Sequence, residues 1–155
     1  MGANDELTVL PSEEWLCRAL YTASRAMTAR YRPALARLGL TYPQYLVMTA
    51  LWEHGPSNVG GIGERLKLDS STLSPLLKRL DGMGLVSRSR DSQDERTVNV
   101  GLTPRGQHLR AIAVDIPREI CAATGMSAAE LAVLVTQLSE LTDELERSST
   151  SAVGN

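Results

Sequence analysis

The sequence predicts a mainly α fold with one small β-hairpin, the hairpin preceded directly by two short helices. Three observations predict it. Apolar residues recur at helical spacing over most of the 155 residues. Only two short runs, "LVSRS" and "TVNVGL", are rich in β-prone residues, and they flank the polar stretch "RDSQDE", which reads as the charged tip of a hairpin. Third, Gly82 and Gly84 separate the last short helix from the first strand. The length suits a single domain with a working core, and ordinary apolar and charged fractions (43% and 22%) make a soluble globular protein the default.

Taken in order, residues 12–38 read as a first helix. Ser12 follows Pro11 as a candidate N-cap, Glu13 and Glu14 suit the positive end of the helix dipole, and Leu16, Leu20, Ala23 and Met27 share a face. Pro33 is expected to disturb its last turns. "GLTYPQY" is a break, with Thr41 or Tyr42 before Pro43 at a new helix start, and "QYLVMTALWEHG" is an apolar helix ended by Gly55. Two short helices follow, at about 58–67 and 69–82. In the second, Leu73, Leu76, Leu77 and Leu80 form one stripe, while Ser70, Ser74 and Lys78 lie on another side. Pro75 removes a bond to the Ser71 carbonyl, and a local bend is expected there. After the hairpin, "LTPRG" opens a helix from about Pro104 that breaks at Pro117 and runs into the 120s. Ser127 starts a last amphipathic helix through Leu131, Leu134, Val135, Leu138, Leu141 and Leu145. The tail 148–155 is polar and is expected to be disordered.

The net charge of −2 hides an uneven distribution. Residues 1–77 hold seven basic and seven acidic side chains, 78–110 seven and four, and 111–155 two and seven. The excess of +3 therefore falls on the second short helix and the hairpin. A helix, two short helices and a hairpin is the order of a winged helix-turn-helix, in which the second short helix enters the major groove and the hairpin tip reaches the flanking backbone or minor groove. In that arrangement Ser70, Ser71, Ser74 and Lys78 face the groove, Arg79, Arg88 and Arg90 meet phosphates, and Asp94 with Arg96 sits at the wing. Asp94 is expected to hold the Arg96 guanidinium in position for a narrow, negative groove. Taken singly, a Ser- and Lys-bearing face is often only solvated, and a loop ion pair is worth little. The coincidence of helix, hairpin and positive charge is what points to double-stranded DNA.

The stretch "LDSSTLSPLLKRLDGMGLVSRSRDSQDERTVNVGLTPRG" resembles the DNA-binding region of the MarR family. The family's wing pattern, Asp-x-Arg followed by Leu-Thr-x-x-Gly, stands here as Asp94, Arg96, Leu102, Thr103 and Gly106. "LCRALYTASRAMTARY", "LTYPQYLVMTALWEHG" and "AVDIPREI" are similar to one branch, the organic-hydroperoxide-sensing repressors called OhrR, over roughly residues 15–145. The resemblance implies a homodimer on operator DNA. Dimerisation would use about residues 12–42 and 104–147, and the winged lobe would span about 43–103. It also implies that the cysteine matched by Cys17 is the peroxide-sensing thiol and that the tyrosines matched by Tyr31 and Tyr42 hydrogen-bond to it. Some members carry a second cysteine that resolves the oxidised sulfur into an intersubunit disulfide, a role that falls on Cys121.

The chemistry of Cys17 can be argued from the residues as well. Peroxide reacts with thiolate, and a helix N-terminus stabilises the anion. Glu13 and Glu14 oppose that effect, so phenol hydroxyls donating to sulfur would help. Tyr21, at i+4, lies one turn along the same face. Tyr31 lies fourteen residues on, ~21 Å along a continuous helix, and can meet only the Cys17 of a second chain. Trp15, Leu16, Leu20 and Met48 would give the thiol an apolar approach suited to organic peroxides. On spacing alone, a small buried hydrophobe is the favoured reading of Cys17, and Cys121 reads equally as a packing residue.

Other functions are weighed by what the chain offers. A thiol peroxidase is disfavoured, because there is no Cys-x-x-Cys and no βαβ alternation. A regulator of the same fold released by a small aromatic ligand is the closer rival. No cofactor or metal is expected, since His54 and His108 are the only histidines and neither stands at zinc-ligand spacing from a cysteine. No apolar run approaches the ~18 residues of a membrane span, the first fifteen residues carry no basic side chain, and the chain is expected to be cytoplasmic.

Overall fold

The computed structural model describes residues 15–152, with the side chains of 151 and 152 excepted. The elements run α1 (Leu16–Ala36), α2 (Tyr42–His54), β1 (Ser57–Asn58), α3 (Val59–Leu66), α4 (Ser70–Gly82), β2 (Val86–Arg90), β3 (Val98–Leu102), α5 (Pro104–Ala113), α6 (Ile116–Ala123) and α7 (Ala128–Ala152). The chain divides into two units, one ending at Val114 and one starting at Asp115.

In the first unit the starts of α2, α3, α4 and α5 are set by side chains. Thr41 forms a capping box with Gln44, Asn58 caps α3, Asp69 caps α4 and Thr103 caps α5. Each satisfies an amide that the helix itself leaves unpaired. Gly55 ends α2 at a φ of +76°, a conformation a side chain would resist. The core gathers Leu35, Leu38 and Leu40 with Val47, Met48 and Leu51 of α2, Ile62 of α3, Leu73, Leu77 and Leu80 of α4, and Leu85, Val86 and Val100 of the sheet. Leu76, expected in the buried stripe of α4, is half-buried. The helix continues through Pro75, as α1 continues through Pro33.

The hairpin is β2 and β3 in antiparallel register, Arg88 opposite Val100 and Val86 opposite Leu102. A third strand was not expected. β1, two residues long, pairs with the other edge of β3 through Ser57 and Asn58, giving the order β1-β3-β2. Its residues are turn formers with no β-prone pattern, and their pairing is set by the loop that carries α2 into α3.

The base of the hairpin is closed by the Leu-Thr-x-x-Gly segment. The Thr103 hydroxyl donates to the Gly84 carbonyl at 2.6 Å, the Thr103 N–H donates to the Leu85 carbonyl at 3.1 Å, and the Gly106 N–H donates back to the Thr103 hydroxyl at 3.0 Å. Position 106 has to be glycine, because a Cβ there would stand 2.0 Å from the Leu85 carbonyl oxygen.

In the second unit Ser127 and Glu130 bond reciprocally at the start of α7. The Ser127 N–H and hydroxyl donate to the Glu130 carboxylate at 2.7 and 2.8 Å, and the Glu130 N–H returns to the Ser127 hydroxyl. These donors hold the Glu130 carboxyl below its ordinary range. The helix passes the point where the tail was expected to lose order and reaches Ala152. Ser148, Ser149 and Thr150 turn their hydroxyls back onto carbonyls four residues earlier, and Arg147 pairs with Glu144, so the polar composition is absorbed along the helix. Residues 153–155 lie outside the described residues, as do Ser12, Glu13 and Glu14.

Candidate nucleic-acid interface and redox site

Helix α4 presents two faces of different chemistry. Leu73, Leu77 and Leu80 are buried, while Ser70, Ser74, Lys78 and Arg79 are exposed. Ser71 is exposed as well, but its hydroxyl donates to the Asp69 carboxylate at 2.7 Å, beside the Thr72 N–H on the same oxygen. Ser71 therefore reinforces the cap. These two donors hold the Asp69 carboxyl below its ordinary value of 3.8.

Two of the basic residues expected at phosphates are tied to the protein. Arg88 on β2 donates through Nε to Asp81 in the last turn of α4 at 3.0 Å, fixing the wing to the helix. Arg90 reaches across the hairpin to the Glu95 carbonyl at 3.2 Å. The expectation for Asp94 is corrected by the geometry. Its carboxylate accepts the Arg96 backbone N–H at 3.0 Å and the Thr97 hydroxyl at 3.3 Å, so it shapes the turn on which Arg96 stands and leaves the guanidinium alone. A short loop places those donors two and three residues away, closer than the far end of an arginine can fold back.

The wing's principal organiser is a residue the sequence reading passed over. Asp91 accepts the Gln93 N–H at 2.8 Å, the Asp94 N–H at 3.3 Å and the Asn99 side-chain amide at 3.0 Å. These bonds, the Gln93 amide first, hold its carboxyl below 3.8. The signal was present as an Asx-turn pattern, an aspartate followed by Ser, Gln and Asp.

At the other end of the unit, Cys17 is the second residue of α1, because Trp15 is extended and forms the N-cap position. The sulfur is thus nearer the helix start than the expected boundary placed it, in the turn where unpaired N–H groups and the dipole favour negative charge. It is exposed. Residues 15–52 contain Arg18, Arg25, Arg30, Arg32 and Arg37 and no acidic residue. Arg25 lies over the exposed ring of Tyr21 at 5.7 Å.

Tyr31 and Tyr42 come together, with ring centroids 4.9 Å apart, and Tyr31 also meets Tyr45 at 5.9 Å. Burial raises the Tyr42 and Tyr45 phenols above 10.0, which keeps both hydroxyls protonated as donors. Tyr45 was read only as part of an apolar run. Because α1 is unbroken from Leu16 to Ala36, the ~21 Å separation of Cys17 from Tyr31 within one chain stands. Of the apolar residues expected around the thiol, Trp15 and Leu16 are exposed, whereas Met48 is wholly buried in the core and unable to line an approach. Cys121 is exposed on α6 in the second unit.

The family described as "Transcriptional regulator SarA/Rot" matches residues 30–111. The organic hydroperoxide resistance transcriptional regulator of Bacillus subtilis is 44% identical over 135 residues, 87% of this chain and 92% of that protein. The chain belongs to the MarR/OhrR-type transcriptional regulators. This regulator is also similar to AbfR of Staphylococcus epidermidis, solved reduced and bound to DNA, at 33% identity and a TM-score of 0.72, over 84% of this chain and 91% of that one. The disulfide form of AbfR gives 0.58 at 35% identity, over 82% and 89%. BpsR of Bordetella bronchiseptica, whose DNA binding is regulated by 6-hydroxynicotinic acid, gives 0.78 at 26% identity, over 86% and 97%. The OhrR-type regulator is accordingly a DNA-binding transcriptional regulator of winged-helix fold, with relatives that are regulators rather than enzymes. Among its described residues no single helix is long and apolar enough to cross a membrane.

Proposed function

We propose that this regulator is a cytoplasmic repressor that binds operator DNA as a homodimer and is released when an organic hydroperoxide oxidises Cys17. The observation that carries the reading is the position of the exposed Cys17 in the first turn of α1, where unpaired N–H groups favour negative charge and Arg18 is its neighbour in the chain. Electropositive, accessible surroundings are those in which a cysteine is reactive rather than inert. Support for a second chain comes from apolar side chains left open on α1 and α7: Trp15, Leu16, Tyr21 and Met27 on one, Val133, Val135, Leu138 and Leu145 on the other. A dimer also answers the distance problem, since the Tyr31 and Tyr42 hydroxyls can then serve the partner subunit's thiol.

On DNA, Ser70, Ser74 and Lys78 enter the major groove, Arg79 meets the backbone, Arg96 reaches the narrow flanking groove from the wing, and Ser71, Arg88, Arg90 and Asp94 hold those residues in place. The thiolate attacks the terminal oxygen of R–O–O–H and the O–O bond breaks. Sulfur becomes the sulfenic acid, and the peroxide leaves as alkoxide and takes up a proton to give the alcohol. The Cys121 thiol then displaces water from the sulfenic sulfur to form a disulfide, and cytosolic thiols reduce it back. Either product alters the dimer so that the two recognition helices no longer match half-sites ~34–36 Å apart.

Non-reducing gels after cumene hydroperoxide test the redox chemistry. A linked dimer is expected in the parent protein and lost in both Cys17→Ser and Cys121→Ser; a linked dimer that persists without Cys121 removes its resolving role. A second reading, release by a small aromatic ligand, draws on the likeness to BpsR, and it predicts that Cys17→Ser is still released by the inducer.

A further inference from the structure

Four aromatic rings run through the first unit from α1 toward the base of the hairpin. Tyr31 packs on Tyr42 and Tyr45, and Tyr45 meets Trp52 edge-on at 6.3 Å. Trp52 ends the line with a buried hydrogen bond, its indole N–H donating to the Gly106 carbonyl at 3.0 Å. Gly106 belongs to the clasp that shuts the hairpin through Thr103, Gly84 and Leu85, and it sits against Leu85 with no room for a Cβ. Tyr45 and Trp52 are 6% and 8% exposed, so the line is close-packed along its inner half, while Tyr31 at its outer end is only half-buried. Close-packed rings cannot absorb a displacement by compression and pass it to their neighbours.

We infer that Tyr45 and Trp52 are coupling residues that tie the position of the Tyr31 ring to the base of the wing. The regulatory use of this coupling rests on the sensing role proposed for Cys17. When the partner subunit's Cys17 gains an oxygen, a Tyr31 hydroxyl that served the thiol must move. Its ring then leaves or tilts on Tyr45, and the indole bond to Gly106 changes with it. The Arg96 turn stands on strands closed by that clasp, so the wing's approach to DNA changes in step. Displacements along such a packed network shift a distant equilibrium by about 2- to 30-fold.

Two arms test this. In the first, the indole N–H resonance of Trp52, distinguished from that of exposed Trp15 by its loss in Trp52→Phe, is followed by NMR in the reduced dimer. Tyr31→Leu, which removes the ring, should move that resonance and weaken DNA binding by about 2- to 30-fold. An unmoved resonance with unchanged affinity in Tyr31→Leu overturns the coupling. In the second, Trp52→Phe is oxidised to the same extent at Cys17 as the parent, measured by thiol titration, and should retain DNA more strongly than the oxidised parent does. Equal release overturns the coupling as well. A parent protein that cumene hydroperoxide neither oxidises nor releases would remove the sensing role alone, with the first arm still deciding the coupling.

Discussion

The winged lobe and the long helices at the two ends of the chain solve the same burial problem differently. Between Thr41 and Gly106 each helix start has a side-chain cap, and the helices and the hairpin turn a face to a shared core. The first half of α1 and nearly all of α7 are regular helix with apolar side chains open to solvent in the single chain; Val135, for example, is 61% exposed. A shallow groove of about 430 Å³ on α7, lined by Met126, Val133 and Leu134 among others, has the same character. Helices of this kind draw most of their stability from packing rather than propensity. The lobe therefore holds its own shape; in the proposed dimer the end helices hold theirs against a partner surface, and there the proposed oxidation of Cys17 would change the assembly without unfolding the part that reads DNA.

The largest expected effect comes from breaking the end helices apart. Leu138→Glu with Leu145→Glu should give monomers by sedimentation, and DNA affinity should fall by about 100-fold or more as two-site avidity is lost. Circular dichroism should show a winged lobe still cooperatively folded; a lobe that melts along with the dimer would erase the contrast. A change inside the lobe should act the other way. Gly106→Ala drives a methyl into the Leu85 carbonyl and should cost about 3 kcal/mol in denaturant unfolding, with the dimer retained.

How much of this was legible in the sequence follows the same division. Local signals were readable where they were self-contained: Thr41 and Gln44 around Pro43, Gly55 at a helix end, the leucine stripe of α4, and the Thr103 to Gly106 motif. Signals that depend on a distant partner were not. The strand at Ser57 exists because β3 offers an edge. Met48 joined a core that periodicity could not locate, and Arg88 found Asp81 only after α4 and β2 were packed. The wing was misassigned at Asp94 because two aspartates three residues apart compete for the same turn, and only the geometry shows that Asp91 gathers it while Asp94 holds the Arg96 amide. Cys17, Tyr31 and Tyr42 were named from the sequence, yet Tyr45 and Trp52 were hidden in an apolar helix whose residues all look like core.

A smaller effect is expected from acid. Asp69 and Asp91 are both held below 3.8 in the folded lobe, Asp69 first by the Ser71 hydroxyl and Asp91 first by the Gln93 amide. A carboxyl with a lowered folded value binds its proton more readily in the unfolded chain. The stability it contributes is thus complete above the unfolded value and is lost as pH falls through the folded one. The thermal midpoint should hold down to about pH 4 and drop below it. Asp69→Asn with Asp91→Asn should flatten that drop, and an unaltered acid limb would assign it to other groups.

If the oxidation state of the Cys17 sulfur sets the affinity for DNA, a binding isotherm on operator DNA before and after one equivalent of cumene hydroperoxide reads it without intermediary. At fixed salt, the parent protein is expected to lose about 100-fold in affinity on oxidation, as simultaneous contact by both recognition helices is lost, while Cys17→Ser binds as the reduced parent does and shows no change. A Cys17→Ser protein released by the peroxide to the same extent, or a parent that stays bound with Cys17 fully oxidised, would contradict the account.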